Sequence, residues 1–123
     1  MTLKQTRLVT TDVAKLTQFY ETVSQSKAEI VSNGYVQFQS EACEGLAIVE
    51  LASTRAYGEG VAESGANRSV ILDFEVDNVD AEYERLQESV SDWVMSPKVM
   101  PWGARAIVFR DPDGNLVNMY SRP

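Results

Sequence analysis

The stretch RAIVFRDPDGNLVNMY, residues 105–120, decides the fold. Arg105 to Arg110 gathers Ile107, Val108 and Phe109 into a short apolar run, and Leu116 to Tyr120 forms a second run of the same kind. β-Branched and aromatic residues in runs of this length suit a pleated, half-buried surface. Between them, Asp111-Pro112-Asp113-Gly114 supplies what a tight reversal needs. Pro112 fixes φ, aspartate bonds its own backbone, and Gly114 takes the left-handed position. The stretch reads as two antiparallel strands, with DPDG serving geometry rather than chemistry.

Moving outward, Trp93-Val94-Met95 reads as the strand before this hairpin. A helix over about Val79 to Gln87 precedes it, with Val79, Tyr83 and Leu86 on one face, and a strand over Ser69 to Val76 precedes the helix. The first half follows the same order. Thr6 to Thr10 is a strand, Thr11 or Asp12 stands at an N-cap position, and Val13, Leu16, Phe19, Tyr20 and Val23 recur at helical spacing. Ala28 to Val31 and Tyr35 to Phe38 flank Ser32-Asn33-Gly34, where Asn-Gly supplies the positive φ angles of a hairpin turn. Leu46 to Leu51 is a further strand. A shift of 66 residues lays Asp12-Val13 on Asn78-Val79 and Tyr20 on Leu86. The expected organisation is α+β in a single domain: module one over about 1–52, a Gly/Ala/Ser/Glu-rich linker over about 53–67, and module two over about 68–123.

Composition narrows the chemistry. With 123 residues the chain has room for one domain with a real core. The net charge of −7 repels phosphate backbones and anionic headgroups, so neither nucleic acid nor a membrane surface is an expected partner. No run of some 18 apolar residues occurs, and Met1 to Gln5 carries no signal-type core. The single cysteine, Cys43, suits a reducing compartment, and the expected location is the cytoplasm. There is no histidine, which removes Ser-His-Asp and Cys-His catalysis and every His-based metal site.

The segment from Pro101-Trp102-Gly103 through Phe109-Arg110-Asp111-Pro112-Asp113-Gly114-Asn115 resembles the signature of the glyoxalase/bleomycin-resistance/dioxygenase (vicinal oxygen chelate) superfamily. The opening strand, Asp12-Val13, and a helix carrying Phe19-Tyr20 match that family's usual start, so the resemblance covers nearly the whole chain. It implies two βαβββ modules whose curved mixed sheets enclose a ligand cavity, commonly in a homodimer. In metal-dependent members each module gives two ligands, from its first and last strands. The resemblance carries these positions onto Gln5 and Glu50 in module one, and onto Ile71 and Asn118 in module two. Isoleucine cannot bind a metal, and Asn118 offers a neutral amide where the family's base would stand, so the set is incomplete.

The first functional expectation is therefore a metal-independent small-molecule binder without a cofactor, of the antibiotic-sequestering kind. Family resemblance gives Trp102 the role of stacking on a planar drug. Leu116, Asn118 and Tyr120 alternate along the last strand as an apolar wall with a polar handle. Glu50 and the negative net charge favour a cationic or amphipathic ligand, and the expected partner is an aromatic or cationic small molecule. Arg105 is a further candidate ligand contact, with an acid on a neighbouring strand as its alternative partner. The competing readings are a glyoxalase-like lyase, isomerase or dioxygenase using a divalent metal on Gln5 and Glu50, with Glu50 as its candidate catalytic group, and a structural or regulatory dimer with a vestigial pocket.

Overall fold

The computed structural model describes residues 1–123. Strand β1 (Thr6–Thr10) leads into helix α1 (Val13–Ser24), which starts where the Asp12 carboxylate accepts the Lys15 N–H at 3.0 Å. The helix ends at Gln25, a left-handed residue at φ 54°. Its buried stripe is Leu16, Phe19, Tyr20 and Val23, with the Phe19 and Tyr20 rings edge to face at 5.2 Å. Strands β2 (Glu29–Ser32), β3 (Tyr35–Gln37) and β4 (Leu46–Glu50) follow. The sheet order is β1-β4-β3-β2, with β1 parallel to β4 and the other pairs antiparallel. Central β4 is apolar from Leu46 to Val49 because both its faces are covered.

The second half repeats the plan. Strand β5 (Ile71–Glu75), helix α2 (Val79–Arg85) and strands β6 (Asp92–Val99), β7 (Arg105–Arg110) and β8 (Leu116–Ser121) give the order β5-β8-β7-β6, with β5 parallel to β8. Asn78 caps α2 as Asp12 caps α1, accepting the Ala81 N–H at 3.0 Å. The fold is thus α+β, two βαβββ modules each with an open four-stranded mixed sheet. Compact units span 1–66 and 67–123. Leu51–Ala56, which runs into the segment read as a linker, forms a 3-10 helix with Thr54 buried, where the carbonyl of Leu51 accepts its hydroxyl. No helix is long and apolar enough to cross a membrane.

Two local readings are corrected. In the β2–β3 turn only Gly34 is left-handed, at φ 78°, whereas Asn33 keeps a negative φ. A register shift between Ile30 and Ser32 absorbs the difference. Strand β6 runs from Asp92 to Val99, well past Met95, and it accommodates Pro97 because β6 is an edge strand whose ladder is interrupted between Met95 and Lys98.

Candidate functional site

The hairpin of residues 105–120 has two unlike faces. Ile107, Phe109, Val117 and Met119 are buried on the α2 side. Ala106, Val108, Leu116, Asn118 and Tyr120 occupy the other, in register across β7 and β8. On that open face lies a hollow of about 440 Å³, lined by these residues together with Ile71, Asp73, Met100, Trp102 and Ala104. The turn that carries Trp102 is closed by Met100 N–H to Ala104 C=O at 2.7 Å and by Gly103 N–H to Met100 C=O at 2.9 Å. Gly103 is required there: its φ is +99°, and an added Cβ would stand 3.2 Å from the Pro123 ring. Trp102 stays 75% exposed at the mouth of the hollow.

Trp102, Asn118 and Tyr120 are thus brought together. The structure adds Asp73, which lies opposite Asn118 across the β5–β8 ladder and accepts its side-chain N–H at 2.9 Å. Asp73 is the only charged side chain lining the hollow. Its signal in the sequence is the alternation Ile71, Asp73, Glu75, which puts all three on one face. The family's first-strand position, carried onto Ile71, lies two residues before Asp73 on the same strand.

Arg105 does not join this site. It faces the α2 side, where its guanidinium makes two bonds of 2.8 Å to the Asp80 carboxylate, an acid on the helix rather than on a neighbouring strand. The bond from Arg105 holds Asp80 below the ordinary carboxylate range and raises Arg105 in turn.

In the first unit, Gln5 and Glu50 lie on opposite faces of the sheet. Gln5 donates to the Tyr35 hydroxyl at 2.7 Å and accepts from Gln37 at 2.9 Å, on the face that Arg7, Ala47 and Val49 share. Glu50, paired with Thr10, projects to the α1 side. There it lines a groove of about 580 Å³ with Asp12, Thr17, Glu21 and Ile30, and it is exposed rather than buried. The two donors therefore form no half-site. The reason is a difference in register between the halves. Thr6 pairs with Leu46 and Leu72 with Val117, so β1 maps onto β5 by 66 residues but β4 onto β8 by 71. By strand register the equivalent of Asn118 is Ala47, not Glu50. With Ile71 and Ala47 apolar, Gln5 engaged by its neighbours, and no group of three or more His, Cys, Asp or Glu placed to hold an ion, the residues do not fit the family's metal.

The comparisons with known proteins agree with the architecture. The family model described as Glyoxalase-like domain matches residues 3–122. The protein YraH of Bacillus subtilis (strain 168) is 31% identical over 129 residues, 98% of each chain. A solved glyoxalase/bleomycin resistance protein/dioxygenase from Nocardioides is 26% identical with a TM-score of 0.79, over 99% of this chain and 83% of that one. A glyoxalase/bleomycin resistance protein/dioxygenase family enzyme from Burkholderia phytofirmans PsJN superposes over the full length of both chains with a TM-score of 0.87 at 16% identity, a likeness of fold. Matched along almost its whole length in sequence and in strand order, the chain belongs to the glyoxalase-like domain family of the glyoxalase/bleomycin resistance/dioxygenase superfamily.

Proposed function

We propose that this chain binds a small planar organic cation without a metal ion, in the hollow of its second unit, and acts by sequestering that ligand as drug-resistance members of the superfamily do. The observation that carries the reading is the pairing of Asp73 with Asn118 in an otherwise uncharged hollow that has Trp102 at its mouth. An indole face and the edge of Tyr120 offer stacking to a flat ring. A carboxylate already oriented by Asn118 answers a ring-borne positive charge. Neutral apolar side chains complete the wall, and the net charge of −7 draws a cation toward the chain.

Thermal unfolding of EDTA-treated protein tests this, because a ligand that binds only the folded state raises the midpoint. Planar aromatic cations of the acridine type are expected to raise it, and Asp73→Asn and Trp102→Ala each to weaken binding about tenfold. Mg²⁺, Mn²⁺, Fe²⁺, Ni²⁺ and Zn²⁺ are expected to leave it unchanged. A rise with one of these metals that disappears in Glu50→Gln would overturn the reading in favour of a metal-dependent activity. Equal binding of a neutral isostere would overturn the role of Asp73.

A further inference from the structure

On the face of the first unit that Arg7, Ala47 and Val49 share, Gln5, Tyr35 and Gln37 form a small hydrogen-bond network. The Tyr35 hydroxyl oxygen receives the Gln5 Nε2–H at 2.7 Å and the Gln37 Nε2–H at 2.8 Å. Both hydrogens of the Gln37 amide are spent, one on Tyr35 and one on the Gln5 Oε1 atom at 2.9 Å, and the Gln37 Oε1 atom accepts from Gln39 at 3.2 Å. A phenol oxygen has two acceptor lone pairs and one hydrogen. With both lone pairs occupied, the Tyr35 hydrogen must point away from the two amides, and no acceptor in the chain meets it. A half-buried hydroxyl fixed as an outward donor is a recognition element for an oxygen acceptor.

Two residues on from Gln5, on the same face of β1, stands Arg7. The chain carries 18 acids and 11 bases, yet no carboxylate pairs with this guanidinium. Instead it lies 5.5 Å from the centre of the Tyr57 ring and gives one N–H to the Tyr57 hydroxyl at 3.0 Å. That bond uses one of five donors, so the rest of the fork stays open to solvent in a held orientation. The two features are independent, and both ask for the same thing.

We propose that this face of the first unit is a binding site for a small organic carboxylate, with the Arg7 guanidinium supplying the charge and the Tyr35 O–H supplying a directed bond to one carboxylate oxygen. Gln5 and Gln37 are positioning residues: they touch Tyr35 and set the direction of its hydrogen. The proposal does not depend on the function proposed for the hollow around Asp73, whose charge has the opposite sign.

The test is an NMR titration of the full-length protein with benzoate, following the side-chain resonances of Gln5, Gln37 and Arg7 and the backbone amides around Asp73. Saturable shifts at the first three, with the Asp73 region still, are the expected result. Tyr35→Phe keeps the ring and loses the donor, and is expected to weaken benzoate about tenfold, as loss of a hydrogen bond to a charged group does. Arg7→Gln is expected to abolish saturation, and Arg7→Lys to restore part of it. Benzamide, which has the same ring without the charge, is expected to bind at least tenfold more weakly than benzoate. Unchanged affinity in a folded Tyr35→Phe protein, equal binding of benzamide, or shifts confined to the Asp73 region would overturn the proposal.

Discussion

Cys43 lies buried, and that burial pushes its thiol from 9.0 up to about 11, with a hydrogen bond to Ser24 pulling weakly the other way. In the unfolded chain the thiol ionises near its ordinary value, while in the folded chain it keeps its proton until about pH 11. Between those values the unfolded state binds fewer protons, so the stability this group contributes is complete below pH 9 and is lost as pH rises toward 11. Urea unfolding at a series of alkaline pH values is expected to show that fall, with a shallower one in Cys43→Ala. The inert character of Cys43 was legible in the sequence, since no base is available to activate it. The side of the sheet that Glu50 faces was not, because a one-residue difference in register reverses every side chain of a strand. Nor was the outward hydrogen of Tyr35, which depends on amides from two strands meeting one hydroxyl, a juxtaposition with no local pattern.

Among the elements, the two helix starts were the most legible, because a side-chain acceptor followed by a periodic apolar face is a local signal. Asp12 and Asn78 cap their helices with the same bond at the same length, 3.0 Å. Helix α2 has only seven residues, stops at Arg85 short of the expected Gln87, and buries Val79 at its first turn. So short a helix is marginal without its cap. Asn78→Ala is expected to cost about 1 kcal/mol and Asn78→Asp to restore it, measured as the shift of the urea midpoint. The strands were less evenly readable. The β7–β8 hairpin carries its turn chemistry in sequence, and the structure strengthens it: buried Asp111 accepts the Asp113 and Asn115 N–H groups, each at 2.9 Å. Strand β6 was only half visible, because Pro97 reads as a stop unless the strand is known to lie at an edge.

At the scale of the molecule, the repeat of strand order in both units was visible from element order alone, and it is what makes the fold legible. The same repeat misled the transfer of functional positions, because one shift of 66 residues aligns the helices but not the last strands, which need 71. The two tryptophans give the asymmetry of the halves an optical consequence. Both belong to the second unit, and the first unit has tyrosine as its largest chromophore. Trp93 is held between Tyr83 and Phe109 with ring centres at 4.7 and 5.3 Å, whereas Trp102 stands in water at the lip of the hollow. Acrylamide quenching is expected to resolve an accessible, red-emitting population and a shielded, blue-emitting one, with Trp102→Phe leaving only the shielded one. Emission excited at the indole edge is therefore a private channel: both of its sources belong to residues 67–123, so light returned from this protein starts in that half of the chain.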